Sequence, residues 1–186
     1  MPIQFIPFIY TTIFALILIA TVPRSKIRRL SIYGIIFGAV FDILLVLVTN
    51  FFREFGYINY GPFGLFGIHF LAPVAWSIFF IMYFYFLPKR KTYMYIYVTV
   101  AVLYSIAFCQ MISKLGVLYL AHGIIDSIIP FLIWFPIATW GYLKLTSTSS
   151  TQQYEKKKSM RFIPYPQPAR KFISKEEINR IKLRKP

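Results

Sequence analysis

GIIFGAVFDILL, residues 34–45, is apolar enough to lie inside a bilayer, yet it carries an acid, Asp42, near its middle. It belongs to a longer apolar run, residues 31–52. That run has the roughly 20 residues a helix needs to cross a hydrocarbon core about 30 Å thick. An ionised carboxylate in hydrocarbon costs several kcal/mol unless it is paired, protonated or facing water, so intramembrane acids face a bundle interior. Gly34 and Gly38 form a G-x-x-x-G, and Asp42 continues the same i, i+4 spacing. The stripe that lets a second helix approach therefore also carries the acid.

The rest of the chain repeats this apolar texture. Of its 186 residues 58% are hydrophobic, 20% aromatic and only 15% charged, which is too apolar for an ordinary soluble domain. The net charge of +15 is concentrated between apolar runs and in the last stretch of chain. That distribution points to membrane topology and anionic lipid rather than to nucleic acid. The single cysteine, Cys109, excludes an internal disulfide and a cysteine metal cluster. The first apolar run has no preceding Lys or Arg and no A-x-A site after it, so it reads as an uncleaved span rather than a signal peptide.

Five runs have spanning length: residues 3–22, 31–52, 68–87, 93–112 and 123–142. Their connections alternate in charge. Arg24, Lys26, Arg28 and Arg29 lie in the first and Lys89, Arg90 and Lys91 in the third, against Arg53 in the second and Lys114 in the fourth. The positive-inside rule then places the first and third connections in the cytoplasm, the N-terminus outside and the C-terminal tail inside. The fold expected is an all-α bundle of five transmembrane helices over residues 1–145, in a bacterial-type plasma membrane, followed by a basic cytoplasmic tail over 146–186. The second connection, rich in Gly and aromatics, reads either as a compact cap or as an ordinary turn-rich connector.

The tail opens with the polar linker TSTSSTQQ, followed by Lys156, Lys157 and Lys158 and by prolines at 164, 166 and 168 that favour an extended backbone. Residues 175–185 have the pattern of a short capped helix, with Ser174 and Glu177 as a capping box. Arg170, Lys171, Arg180, Lys182, Arg184 and Lys185 make this region a candidate contact for anionic inner-leaflet lipid, a membrane-protein partner or a second copy of the chain.

The remaining polar groups gather toward the outer side. Asn50, Arg53 and Glu54 close the second run, His69 opens the third, and His122 with Asp126 opens the fifth. His69, His122 and Asp126 together are a candidate divalent-metal site, and the two histidines a candidate haem pair. The competing reading is interfacial polar groups satisfied by water and by one another. A third reading is a proton or solute path from this cluster to Asp42. No G-x-S-x-G, H-E-x-x-H, phosphate-binding glycine loop or C-x-x-C is present, so a non-enzymatic role is expected. Prolines 73, 130 and 136 are expected to kink their spans.

Asp42, the segment GYINYGPFG, the LAPVAW of the third run and the HGIIDSIIPFLIWF of the fifth give residues 30–145 a layout that resembles small multi-span membrane proteins of spore-forming bacteria. The resemblance implies a membrane location and carries no residue role. The function expected is that of a non-enzymatic accessory, assembly or signalling subunit of the membrane; the alternatives are proton or small-solute transport through Asp42 and the outer polar cluster, and metal or haem binding through His69 and His122.

Overall fold

The computed structural model describes residues 2–51, 55–65 and 67–161, without the side chains of residues 65 and 148–161. Arg53 and Glu54 lie outside the described residues. So do the proline run and the expected helix at 175–185, with Arg170, Lys171, Arg180, Lys182, Arg184 and Lys185. The chain divides into two units, Met1–Lys144 and Leu145–Pro186.

In the first unit prolines set the helix boundaries. A 3-10 turn at Ile3–Phe5 leads into α1 (Ile6–Thr21), whose Pro7 sits in the first turn, where the missing N–H costs nothing. Val22, preceding Pro23, is extended at φ −113° and ψ 122° and ends the helix. Helix α2 (Arg24–Gly34) starts immediately after Pro23. The basic segment expected as a loop is therefore the first turns of the second long helix. Four cations at a helix N-terminus oppose the macrodipole, so Pro23 rather than charge fixes this start. Helix α2 continues through a π-helical segment (Ile35–Val40) into α3 (Phe41–Phe51), giving 28 helical residues in all.

Helix α4 (Leu71–Phe86) ends where Leu87, preceding Pro88, turns extended at ψ 119°. Pro73 lies in its first turn, where no intrahelical bond is lost, so the expected kink at this position has no cause. Helix α5 (Lys91–Lys114) closes in a Schellman motif. Gly116, at φ +75°, donates to the Ser113 carbonyl at 2.9 Å and Val117 to that of Ile112 at 3.0 Å. Helix α6 (Ile125–Arg161) carries Pro130 and Pro136 in its interior. In the second unit the described backbone is helical as far as Arg161, so TSTSSTQQ, expected as a linker, lies in helix. Lys156, Lys157 and Lys158 are there too, with only their backbone described.

Among the described residues four helices are long and apolar enough to cross a membrane: Ile3–Thr21, Arg24–Phe51, Lys91–Lys114 and Ile125–Ser147. The expected third span is shorter than its apolar run suggests. With 16 residues, α4 is about 24 Å long against a hydrocarbon core of roughly 30 Å. Its position explains its composition, since it packs against α1, α2 and the π segment. It buries Ala72, Ala75, Trp76, Phe80, Ile81, Tyr83 and Phe84.

Short strands add to the expected all-helical fold. Strand β1 (Phe55–Tyr57) pairs antiparallel with β4 (Leu118–Leu120), Phe55 opposite Leu120 and Tyr57 opposite Leu118. Strands β2 (Gly64–Leu65) and β3 (Ile68–His69) form a hairpin. The second and fourth connections are thereby knitted into one cap, with Tyr57 N–H donating to the Gly67 carbonyl at 2.9 Å and the Asn59 side-chain amide to that of Gly116 at 2.9 Å. The N-terminus lies on the same side, because Phe5 and Phe8 pack their rings on Phe63.

Candidate functional site

Asp42 is 2% exposed in the first turn of α3, and its Oδ2 has no hydrogen-bond partner. Among the described residues no cation forms an ion pair with it. The glycines that precede it serve a different contact. A Cβ on Gly34 would stand 2.7 Å from the Ser77 carbonyl oxygen, and one on Gly38 2.6 Å from that of Trp76, so both lie against the backbone of α4. The π segment closes a wider turn than an α-helix, which rotates the residues after it out of the i, i+4 register. Asp42 itself is buried in the interior of the helical unit. The extra width has an anchor, since the Trp134 indole N–H of α6 donates to the Phe37 carbonyl in the middle of the π segment at 2.6 Å.

A small cavity is lined by Tyr10, Tyr57, Trp76, Phe79, Ser105 and Phe108 among others. Its interior has room for about one water-sized guest. Thr11 and Ser105 are buried, and their hydroxyls, like Asp42 Oδ2, have no partner. A buried unpaired polar atom costs roughly 1–3 kcal/mol. With His69 Nε2 in the cap, four such atoms lie in this unit among the described residues, a sign of function or of an occupant. The Tyr57 hydroxyl is held well above its ordinary pKa of 10.0, first by burial and then by the charge of Asp42, with Trp76 opposing. It therefore stays a proton donor throughout the physiological range.

The outer residues do not assemble as expected. His122 and Asp126 meet: the His122 backbone N–H donates to Asp126 Oδ2 at 2.7 Å, and Nδ1 lies 3.2 Å from Oδ1. Asp126 is 8% exposed and His122 64%, so the carboxylate ties the preceding turn to the start of α6. His69 is elsewhere, 1% exposed in the cap and stacked on Phe63. Among the described residues no group of three or more His, Cys, Asp or Glu comes together in a way that could hold a metal ion, the trio His69, His122 and Asp126 included. Asn50 lies against the cap glycines, its side chain 3.0 Å from where a Cβ of Gly67 would be.

His69 has a structural role that predicts a pH effect. Its Nδ1 accepts the Leu71 N–H at 3.2 Å, at the start of α4. Burial lowers its pKa from the ordinary 6.5, a backbone group of Gln4 offsetting part of this. With the folded pKa below the unfolded one, the stabilisation is complete above pH 6.5 and is lost as pH falls below that value. Protonation also turns Nδ1 from acceptor to donor. Amide hydrogen exchange at Tyr57, Phe70 and Leu71, corrected for intrinsic rates, is expected to lose protection between about pH 7 and about pH 5. His69→Asn, which keeps an acceptor and cannot titrate, should remove that dependence.

Tyr10, Thr11, Tyr57, Ser105 and Cys109 do not stand out as site residues in the sequence. A signal for two of them exists, because Ser105 and Cys109 stand four apart on one helix face. No family model matches this chain, and neither a curated protein nor a solved structure does.

Proposed function

We propose that this chain is an integral plasma-membrane protein of five spans, with N-terminus outside and basic tail in the cytoplasm, that moves protons or a small solute past Asp42. The observation that carries the reading is Asp42 itself, buried with an orphan oxygen and no ion pair among the described residues. A carboxyl kept in so costly a setting is a functional-site hypothesis by default. The membrane reading draws on large apolar side chains that face outward from the helices, among them Leu16, Ile19, Leu44, Val48, Leu103 and Leu132. The orientation draws on the cap, which gathers the N-terminus and the poorly charged connections, while Arg24 to Arg29 and Lys89 to Lys91 belong to the other connections. Helix α4, too short alone, acts as the central span with the cap above it.

The structure removes one support from the accessory-subunit reading, since Gly34 and Gly38 are consumed by packing on α4 and are not free for a partner. Purified protein in vesicles under an imposed proton or solute gradient tests the transport reading. Wild type is expected to dissipate the gradient, and Asp42→Asn to slow this at least tenfold. Equal rates for the two, or a wild type that leaves the gradient intact, would overturn the reading.

The tail favours a second role beside transport, because its basic residues suit anionic lipid or a membrane-protein partner. Deleting residues 146–186 is expected to abolish partner co-purification and binding to anionic vesicles while leaving the spans inserted. Unchanged partners and unchanged vesicle binding would count against it.

A further inference from the structure

We infer that the groove between α4 and α5 holds one acyl chain of an anionic phospholipid from the inner leaflet, with the headgroup at Lys89, Arg90 and Lys91. The site rests on the membrane location and orientation proposed above, and is independent of transport and of the tail. The groove is lined from Phe79 to Phe86 on α4 and from Tyr97 to Tyr104 on α5, at i, i+3, i+4 and i+7 on each helix. It has far more room than the enclosed cavity and opens outward, with Phe86, Val100 and Tyr104 exposed along it. A connection of four residues, 87–90, should bring two antiparallel helices into contact. Among the described residues α4 instead packs closely on α1, α2 and the π segment, and makes no comparable approach to α5. The side chains explain the difference. Glycines admit the backbone of α4 on the α2 side, whereas on the α5 side rings hold the helices apart. A whole tyrosine spans the gap: the Tyr97 hydroxyl donates to the Tyr83 carbonyl of α4 at 3.1 Å, and its ring stacks on that of Tyr83 at 5.2 Å. The Tyr83 hydroxyl bonds Thr139 Oγ1 at 2.6 Å. With these two hydroxyls engaged, the walls offer an occupant rings and hydrocarbon. In lipid, helices associate by close packing, so a space they leave between them is filled by a chain from the bilayer.

Charge decides which lipid. The connection that joins the two walls also carries three cations, so chain continuity puts them at one end of the groove. Lys89 follows Phe86 within about 11 Å of chain, and Lys91 opens α5 about 9 Å of helix rise before Tyr97. Lys89, Arg90 and Lys91 are all exposed, and residues 71–114 contain no Asp or Glu to neutralise them. Helix α2 adds to the same end. Gly34 lies against Ser77 and Ile81 and Gly38 against Trp76 and Ser77, so α2 runs antiparallel to α4, and Arg24, Lys26, Arg28 and Arg29 precede Gly34 on the side where α4 ends. The far end of the groove is shut. Phe79 and Tyr104 stack nearly parallel at 6.1 Å and line both the groove and the enclosed cavity, forming a wall between them. The order from mouth to floor is therefore cations, then about 10 Å of apolar wall over two helical turns, then a closed end. An amphiphile with a negative head matches that order, the groove taking the part of one acyl chain nearest the glycerol. A free phosphate would meet the cations and leave the groove empty. A zwitterionic lipid would fill the groove but bring a positive group of its own to the cluster.

The test uses the full chain in phosphatidylcholine vesicles that hold a small share of phosphatidylglycerol with a photoactivatable diazirine near the start of one acyl chain. After illumination the labelled residues are read by mass spectrometry. Labelling of Phe86, Tyr97 and Val100 at least tenfold above that of the equally lipid-accessible Leu16, Ile19 and Leu132 is the expected result. The same diazirine on phosphatidylcholine should label the groove at least tenfold less. Replacing Lys89, Arg90 and Lys91 together by Gln should bring phosphatidylglycerol down to the phosphatidylcholine level. Val100→Trp, which fills the groove from an exposed position, should abolish the groove labelling, and both variants should keep the wild-type melting midpoint. Even labelling of all exposed apolar residues, or equal labelling by the two headgroups, would mean ordinary bilayer contact and would overturn the inference; these wild-type results decide alone if a variant does not fold. So would groove labelling that survives Val100→Trp, or a preference for phosphatidylglycerol that survives loss of the three charges. Specific groove labelling without Asp42-dependent flux would sink the transport reading and leave the lipid site standing. Asp42-dependent flux with even labelling would do the reverse.

Discussion

Gly38→Leu is expected to unfold the helical unit or lower its thermal midpoint by many degrees, with Gly38→Ala intermediate. The reason is what a side chain there would meet. A Cβ at Gly38 would stand 2.6 Å from the Trp76 carbonyl oxygen and 2.7 Å from both the Cα and N of Ser77, all of them backbone atoms of α4. Backbone cannot swing aside as a side-chain tip can, so the two helices must separate. Overpacking a well-filled core costs about 1–3 kcal/mol and occasionally more. Parting α4 from the π segment should fall at the upper end, because in lipid it is close packing rather than water exclusion that holds helices together. At Gly34 the nearest atoms include the Ile81 side chain, which has some freedom, so Gly34→Ala should cost less than Gly38→Ala. Thermal or denaturant melting of the purified variants checks the order. Equal midpoints for wild type and Gly38→Leu would show that the close approach to α4 does not hold the bundle together.

The same glycines show how far the sequence can be read. Their spacing announces a helix–helix contact, and the apolar runs announce long membrane-length helices; both signals are local, set by side-chain size and hydrophobicity. Three other features depend on more than local pattern. The π segment is not announced by IIFGAV. The cap strands have two or three residues each, too short for a period-2 pattern, and β1 finds β4 across two intervening helices. The run of Lys and Arg after Pro23 looks like a loop because charge is usually found there, while the proline makes it the beginning of a helix. His69 and His122 look like a pair because both border apolar runs, yet depth along a membrane axis says nothing about azimuth around the bundle. Asp42 is legible as the principal polar group. The buried hydroxyls are not, because a Tyr, Thr or Ser within an apolar helix is common and its facing direction is not written in a single sequence.

Trp134→Ala is expected to produce the other large loss, and the series Trp134→Phe and Trp134→Ala divides its causes. Trp134 is 1% exposed on α6, stacked on Phe41 at 5.3 Å and on Phe80 at 5.3 Å, with Trp76 at 5.0 Å. Truncating a buried aromatic to alanine costs about 3–5 kcal/mol through lost contacts and the cavity left behind. Trp134→Phe keeps most of the ring stack and removes the indole N–H that donates to the Phe37 carbonyl at 2.6 Å. Leaving that buried carbonyl unpaired should cost about 1–3 kcal/mol. The two effects also differ in location. The phenylalanine variant acts on the π segment, which runs directly into the turn that carries Asp42, and so should disturb the Asp42 site more than its small stability loss would suggest. If the indole bond holds the wide turn open, Trp134→Phe should reduce Asp42-dependent flux severalfold while the protein still melts cooperatively. A phenylalanine variant with a lower midpoint and wild-type flux would confine Trp134 to packing, and would mean that the π segment keeps Asp42 in place without help from α6.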